Sequence, residues 1–311
     1  MNHSVSRLPF IIPPLLVLAL CMAPAFAAKG LDPAIIGEAS GATPSVAEDG
    51  VVRIGWSRTD VAVTVDGMTL PPAAGLGSWA AFRAMDDQGS HAIVMGDTVV
   101  FEDEVDAAID AAFTHRLDVT ALHNHFFYDS PKVYFMHIGG EGEAGALAAG
   151  VKAVWDAIRA VRTERPQPAS GFGGAAPVAG NFDADALAEI VGHPATAADG
   201  VVKFTIGRAG HMHGQTIGAS MGLTTWAAFS GSDAHAAIDG DFIMSAHEVQ
   251  PVLRALRDAG LHIVALHNHM MGEQPAFYFT HYWGKGPATD LARGFRNAMD
   301  AQAAVGKEAP H

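Results

Sequence analysis

One histidine-rich segment occurs twice in this chain, and the duplication limits what the chain can fold into more than any other feature. Residues 121–137 read ALHNHFFYDSPKVYFMH, and residues 265–281 read ALHNHMMGEQPAFYFTH. The repeated histidines are 144 positions apart: His123, His125 and His137 in the first copy, and His267, His269 and His281 in the second. Self-similarity at a fixed separation is typical of a chain built from two similar units.

The similarity extends beyond the histidines. DGVVR at 49–53 corresponds to DGVVK at 199–203, and WAAF occurs at 79–82 and again at 226–229. Between the copies lies a segment rich in proline, glycine and alanine, which is typical of a linker. We therefore predict a first lobe at 31–163, a linker at 164–181, a second lobe at 182–305 and a C-terminal tail at 306–311.

Residues 1–27 have the composition of a signal peptide. The apolar run from Leu8 to Leu20 is short for a membrane span, and Ala25-Phe26-Ala27 fits a cleavage site. We expect a periplasmic or secreted protein, attached to a membrane only through an uncleaved signal peptide or a lipid on Cys21. Leu20 argues against the lipid, because lipoprotein signals have a small residue there. Cleavage would remove the only cysteine, which excludes thiolate metal ligands.

The charge of the chain limits its partners. The formal net charge is −14 at pH 7, with 33 acidic residues against 19 basic ones. A protein that binds nucleic acid through phosphates needs the opposite balance. We therefore exclude nucleic acid and expect metal cations, a small neutral molecule or a cell-envelope ligand.

Hydrophobic periodicity predicts an α+β fold for each lobe. In the first lobe, alternation favours strands at 61–70, 91–100, 119–127 and 132–138, and helical spacing favours a helix at 102–116. A glycine-rich turn at 139–142 should lead into a second helix. The order is roughly β-β-α-β-β-α, repeated in the second lobe. Short alternating strands favour a mainly antiparallel sheet with two helices packed on it.

The repeated histidines have the spacing of metal ligands. Residues two apart in a strand point to the same side, so His123 and His125 project together while Asn124 faces away. His137 joins them only if the hairpin loop has an odd number of residues, as a loop of Asp129-Ser130-Pro131 would. The same parity applies to the second copy. Three imidazoles on one side of a ribbon favour Zn²⁺ or Cu²⁺, with a fourth position open for water or substrate.

Four repeated carboxylates are candidates to complete this chemistry. Glu104 and Glu248 precede or begin a helix and are candidate catalytic acid–base groups. Asp97 and Asp241 could supply a ligand or orient one. Glu248 also has a purely structural interpretation, because Ser245 stands three residues before it and the pair forms a capping box.

Other interpretations of the histidines remain open. A metal-free esterase or phosphodiesterase would use one histidine from each lobe as base and acid across a groove, an arrangement similar to that of the 2H phosphoesterases. A non-catalytic binding module would present the paired lobes to an envelope ligand. The segment His211-Met212-His213, which occurs only in the second lobe, offers a possible copper ligand set.

The chain resembles a known family over nearly its whole predicted mature length. The segments EDEVDAAIDAAFTHRLDVTALHNHFFYDSPKVYFMHIGGEGEAGALA and GDFIMSAHEVQPVLRALRDAGLHIVALHNHMMGEQPAFYFTHYWGKGPATDLARGFRNAMD are similar to the LppY/LpqO family. The resemblance implies a duplicated, exported bacterial domain of unknown function, and it supplies no reaction. The family's namesakes are lipoproteins, and Leu20-Cys21 departs from that pattern.

Overall fold

A computed structural model describes residues 30–308. The predicted signal peptide and the last three residues of the predicted tail lie outside this range. The first lobe contains, in order, α1 (Pro33–Ser40), β1 (Ser45–Val46), β2 (Val52–Ser57), β3 (Thr64–Val65), β4 (Met68–Thr69), β5 (Gly77–Ala84), β6 (His91–Phe101), α2 (Val105–Thr114), β7 (Asp118–His123), β8 (Asp129–Ser130), β9 (Val133–Glu143) and α3 (Ala144–Glu164).

The second lobe repeats this order with small differences. It contains α4 (Ala184–Val191), β10 (Thr196–Ala198), β11 (Val201–Gly207), β12 (Gly210–Met212), β13 (Gln215–Ile217), β14 (Thr224–Gly231), β15 (Ala236–Met244), α5 (Ala246–Asp258), β16 (His262–His267), β17 (Tyr278–Gly286) and α6 (Ala288–Glu308). The last helix thus continues past the predicted start of the tail. Among residues 30–308, no helix is both long enough and apolar enough to cross a membrane.

The two lobes share one antiparallel sheet of 12 strands. Its order is β1-β2-β5-β6-β9-β7-β16-β17-β15-β14-β11-β10, which places equivalent strands at equal distances from the centre. The central pair is β7 and β16, where Leu122 lies opposite Leu266. The sheet therefore has an approximate two-fold axis between these leucines, and each lobe supplies one half.

All the helices that cover the core pack on one side of this sheet. Alternate strand residues such as Val94, Leu122 and Met136 join helix residues such as Ile109 and Trp155 in the main core. We call this side the helix face. On the opposite side, which we call the second face, smaller clusters form around residues such as Phe135 in the first lobe and Phe279 in the second. Alternation along a strand decides which face each side chain joins.

The predicted α+β class with two similar lobes is confirmed. Each lobe has a third helix, α1 or α4, that the sequence analysis did not predict. Residues 61–70 form the short β3–β4 hairpin rather than one strand. The predicted turn at 139–142 is wrong, because these residues continue β9. Their glycines instead admit close packing: a Cβ on Gly140 would lie 3.2 Å from Leu117 and 3.3 Å from Leu147.

The linker is in contact with both lobes. The backbone N–H of Ala169 donates to Asp103 Oδ2 at 3.0 Å in the first lobe. The ring of Phe172 stacks on His262 of the second lobe, with centroids 3.7 Å apart. Further along, Val178 N–H donates to the carbonyl of His235 at 3.0 Å. The segment therefore follows the surface from one lobe to the other.

Candidate metal centre

Strand alternation directs the repeated histidines to the second face. His123 follows Leu122, whose side chain lies in the core of the helix face, so the imidazole points to the other side. In β9, His137 has the same orientation as Phe135, which packs on the second face. The equivalent residues of the second lobe follow the same alternation. The sequence prediction that each triad shares one side is consistent with this arrangement.

The hairpin that brings each triad together is longer than predicted. Strands β7 and β9 are joined by residues 124–132, within which Asp129 and Ser130 form β8 and pair with β3. The predicted three-residue loop is therefore wrong. The connection nevertheless has an odd number of residues, so His137 lies on the same side of the sheet as His123. Ala121 lies opposite His137, and His123 lies opposite Phe135. The second lobe has the same register, with Ala265 opposite His281.

In each lobe one histidine lies between the other two. The ring centroid of His123 is 5.1 Å from that of His125 and 5.1 Å from that of His137. His125 lies beyond the end of β7, and its ring stacks on Phe135 at 3.3 Å between centroids. In the second lobe the corresponding separations are 5.2 Å, 5.0 Å and 3.4 Å. The aromatic contact thus holds the third ring over the sheet after the strand has ended.

Local hydrogen bonds to Nδ1 orient two of the imidazoles so that Nε2 is free to bind a metal. Nδ1 of His267 lies 3.4 Å from the carbonyl of Asn268, and Nδ1 of His281 lies 3.1 Å from the carbonyl of Gly240. A donated Nδ1–H leaves the Nε2 lone pair free, which is the tautomer common among metal-binding histidines. The amide of Asn268 is itself used in the turn, where it donates to Met270 O at 2.8 Å. Asn124 makes the same contact in the first lobe, where it donates to Phe126 O at 2.8 Å.

A buried aspartate from the neighbouring strand faces each triad. Asp97 lies opposite His137, and Asp241 lies opposite His281. Asp241 is 2% exposed, and its Oδ1 accepts no hydrogen bond. Nε2 of His267 is also buried without a partner. Buried polar atoms are usually satisfied by a protein group, a water or an ion, and these two atoms of one cluster have free acceptor positions for such a partner.

The second lobe brings three potential ligands together. Asp241, His267 and His269 each offer a ligand atom, and these atoms lie within 4.8 Å of one another. His269 Nε2 is 3.3 Å from Asp241 Oδ2. Two ligands at ~2.0–2.1 Å from a tetrahedral ion are themselves about 3.3 Å apart. Among residues 30–308 this is the one group that converges so closely. In the first lobe His137 Nε2 is 4.0 Å from Asp97 Oδ1.

Burial sets the protonation states in this cluster. It lowers the pKa of His267 and of His269, and in both cases neighbouring histidines lower it further. The neutral imidazole that metals bind is thereby favoured. Burial also raises the pKa of Asp241 to about 6, against the opposing effect of His281. Near pH 7 the cluster therefore offers neutral nitrogen ligands and a carboxylate whose ionised form is poorly solvated.

The two candidate catalytic glutamates are engaged elsewhere. Glu104 is fully buried and binds Arg58 through both oxygens, at 2.8 and 2.9 Å. Glu248 binds Arg208 at 2.5 and 3.1 Å and also forms the capping box with Ser245. Within the described part of the chain, the carboxylates that face the triads are Asp97 and Asp241. The repeated arginines Arg58 and Arg208 were not predicted from the sequence, although they stand 150 positions apart, as the preceding DGVVR and DGVVK segments do.

The triads of the two lobes are neighbours across the centre of the sheet. Because Leu122 lies opposite Leu266, His123 and His267 occupy diagonal positions on adjacent strands. Such positions are about 7–8 Å apart. Ala121 and Ala265 lie between the histidines of the two lobes, so small side chains line the space separating the triads. The histidines lie side by side on one surface and do not face each other across a groove.

Comparisons with known proteins identify a family but no reaction. Residues 35–157 and 185–301 match the model of a family described as Domain of Unknown Function (DUF1259). No curated protein sequence matches the chain. The two matched segments agree with the internal repeat and together make up more than half of the chain.

Some solved structures show only distant similarity. A trimeric bacterial microcompartment shell protein, PduB, is 10% identical, with 85% of this chain and 92% of that chain covered and a TM-score of 0.19. EtuB from Clostridium kluyveri is 10% identical, with 85% and 91% covered and a TM-score of 0.22. Similarity at this level supports no conclusion about fold or function.

Proposed function

The chain belongs to the Domain of Unknown Function (DUF1259) family, and from that premise we propose that it binds a divalent transition metal on the second face of its sheet. The observation that carries the proposal is the convergence of Asp241, His267 and His269 within 4.8 Å. Nitrogen and carboxylate ligands suit Zn²⁺, and imidazoles also suit Cu²⁺. His281 stands beside this group as a fourth ligand or as a group that contacts a bound water.

The equivalent residues of the first lobe form a second, less tightly converged site in this proposal. Asp97, His123 and His137 occupy the same register positions as their counterparts, and His125 stacks on Phe135 as His269 stacks on Phe279. Their conversion into a site needs the side chains to approach one another, since Asp97, His123 and His125 do not converge within 4.8 Å as their counterparts do. We therefore assign the tighter binding to the second lobe and the weaker binding to the first.

A hydrolytic role follows if a coordination position stays open. Three protein ligands on a four-coordinate ion leave one position for water, which the metal would activate as a nucleophile. If His281 completes the set, the centre is closed and serves to hold metal. Glu104 and Glu248 support the surrounding structure in this proposal and take no part in proton transfer.

Metal analysis of mutant proteins tests the assignment. The chain is purified without chelators from metal-replete medium, and bound metal is measured by mass spectrometry. We expect His267→Ala with His269→Ala to lose the tighter site and His123→Ala with His125→Ala to lose the weaker one. His211→Ala with His213→Ala is the matched control, because it removes two exposed histidines from the same lobe. Circular dichroism verifies folding. Metal-free wild type, or loss only in the control, would contradict the proposal.

A second candidate function rests on the closeness of the triads. His123 and His267 occupy diagonal positions on adjacent strands, which are generally about 7–8 Å apart. Imidazoles that project from such positions can act as base and acid on an ester bound over them. Hydrolysis of bis(p-nitrophenyl) phosphate that persists in EDTA and is lost in His123→Ala and in His267→Ala would favour it. Activity restored only by added metal would favour the metal centre.

We also propose export and a closer relationship. The signal-peptide composition of residues 1–27 supports a periplasmic or secreted location, and the paired ALHNH segments support placement in the LppY/LpqO family. Sequencing the N-terminus of the protein from a periplasmic fraction tests the first point. A new N-terminus at residue 28 is expected, and an intact Met1 in the cytoplasm would contradict it.

A further inference from the structure

A cavity of about 530 Å³ lies where the two lobes and the linker meet. It is bordered by α2 and β9 of the first lobe, by β16 and β17 of the second, and by linker residues around Phe172. Its lining contains none of the six repeated histidines. Small-molecule sites in proteins commonly have volumes of about 300–1,000 Å³. The cavity is therefore large enough for a small organic ligand and is independent of the proposed metal centre.

Three aromatic side chains from different parts of the chain line this cavity. Tyr134 comes from the first lobe, Trp283 from the second, and Phe172 from the linker. The apolar part of the lining is completed by residues such as Leu122 and Val264. Flat aromatic faces favour a flat apolar ligand, and they also attract cations through the ring quadrupole.

The charged groups at the cavity are mainly acidic. Glu102, Asp103 and Asp106 contribute carboxylates and Arg165 a guanidinium. Asp103 is paired with Arg162, and Asp106 is paired with Arg257 and lies against His262. Glu102 is exposed and forms no ion pair with any residue in the described range 30–308. Its charge is therefore available to a ligand. The combination of aromatic rings and an exposed carboxylate without an ion pair favours a positively charged group.

The internal repeat offers a built-in comparison for this cavity. Asp106, which lines the cavity, corresponds to Gln250 in the second lobe. The side-chain amide of Gln250 accepts a hydrogen bond from Val119 N–H at 3.1 Å and donates one to Val119 O at 2.8 Å. Trp283 corresponds to Gly139, and Phe172 lies in the linker, outside both repeats. The two-fold related position therefore has a tight helix–strand contact and lacks two of the aromatic residues. The cavity therefore lies at a position where the two lobes differ in sequence. Symmetric packing of two similar lobes does not by itself require such a cavity.

From this lining we propose that the junction cavity binds a small organic ammonium ion with a flat apolar body. The apolar body lies against Tyr134 and Trp283, the ring of Phe172 covers it, and the ammonium group lies beside Glu102. Stacking of Phe172 on His262 at 3.7 Å holds the linker over the cavity.

Calorimetry with 2-phenylethylamine tests the proposal, with 2-phenylethanol as the uncharged analogue. We expect saturable binding of the amine and binding of the alcohol at least 10-fold weaker. Val264→Trp should fill the cavity and weaken amine binding at least 10-fold. Thr120→Trp is the matched control, because Thr120 is exposed, occupies the equivalent position in the first lobe and does not line the cavity. It should leave binding unchanged.

Glu102→Gln provides a test that does not depend on filling the cavity. This exposed substitution should weaken amine binding several-fold and leave alcohol binding unchanged. Absence of amine binding, equal binding of amine and alcohol, or equal effects of Val264→Trp and Thr120→Trp would overturn the proposal. Loss of metal in the histidine variants would leave these results unaffected, so the two proposals fail separately.

Discussion

At the scale of single residues, the buried carboxylate of Asp241 is suited to binding a cation but lowers the stability of the metal-free fold. The carboxylate is buried, has an unpaired oxygen and has its pKa raised to about 6. An ordinary aspartate has a pKa of ~3.9 in the unfolded chain. Ionisation is therefore harder in the folded state, and the folded state loses stability as pH rises from about 4 to above 6. A bound cation would remove this cost.

Asp241→Asn is accordingly expected to stabilise the metal-free protein. Above pH 7 the gain should be at most ~2 kcal/mol, after allowance for solvent screening. Near pH 4 the gain should disappear, because the wild-type carboxyl is then protonated in the folded state. Urea unfolding at both pH values measures the difference. The same variant should lose metal from the second lobe, and a variant less stable than wild type at pH 8 would contradict this assignment.

Gly240, the residue before Asp241, makes a close approach that only glycine allows. A Cβ at this position would lie 2.1 Å from the hydroxyl of Tyr282 and 2.3 Å from the carbonyl of Trp226. The hydroxyl donates to that carbonyl at 3.0 Å, so the added methyl would disrupt the bond. We expect Gly240→Ala to cost about 1–3 kcal/mol of unfolding free energy.

Gly96→Ala is the matched substitution in the first lobe. There the nearest contacts are 2.9 Å to the carbonyl of Trp79 and 3.0 Å to Ile138, which leave more room to adjust. Its effect in thermal and urea unfolding should be the smaller of the two. Equal losses would show that the tyrosine contact is not the cause.

At the scale of elements, the repeated arginine–glutamate pairs connect the residue after a strand to the start of a helix. Arg58 follows β2 and binds Glu104 before α2, and both side chains are inaccessible to solvent. Removing Arg58 breaks both of its hydrogen bonds to the buried carboxylate of Glu104 and leaves Arg162, with Nε 2.6 Å from Glu104 Oε1, as the remaining cation. Because hydrogen bonds to buried charged groups contribute most when they are lost, Arg58→Met should cost about 3 kcal/mol in urea unfolding.

Arg208→Met is the control for this pair, because Arg208 is 31% exposed and Glu248 keeps hydrogen bonds from Ser245 N–H and Gln302 Nε2. We expect a smaller loss of unfolding free energy from it. Neither substitution should change the amount of bound metal per folded protein, since both pairs lie outside the histidine clusters. Metal loss in either folded variant would show that Glu104 or Glu248 contributes to metal binding.

Much at this scale could be predicted from the sequence, and the failures have physical causes. The apolar face of α2 and the side on which His123 and His137 lie follow from local periodicity, whereas His125 follows the end of β7 and is placed by its contact with Phe135. The continuation of β9 through 139–142 could not be predicted, because its glycines serve packing against helices that are distant in sequence. The position of Asp97 and Asp241 beside the histidines depends on which residues of neighbouring strands lie opposite each other. The predicted loop lengths did not determine this register. A local sequence pattern does not determine which strands pair.

At the scale of the whole molecule, the central pairing of β7 with β16 converts two similar lobes into one sheet. Each lobe alone would leave its central strand as an open edge, and open edges pair with other chains. The outer strands β1 and β10 have only 2 and 3 residues, which limits pairing at the ends of the sheet. The chain thus resembles a symmetric dimer whose two halves are covalently connected.

The first lobe expressed alone, as residues 30–164, should therefore self-associate through β7. The expected product is a symmetric dimer in which His123 of each copy occupies the diagonal position now held by His267, because the two-fold arrangement is preserved. Light scattering after size-exclusion chromatography measures the mass. Ala121→Lys should reduce association, since it places like charges next to each other near the two-fold axis. A folded monomer with native circular dichroism would show that the lobe is stable with its central edge open, and that the shared sheet is not required for folding.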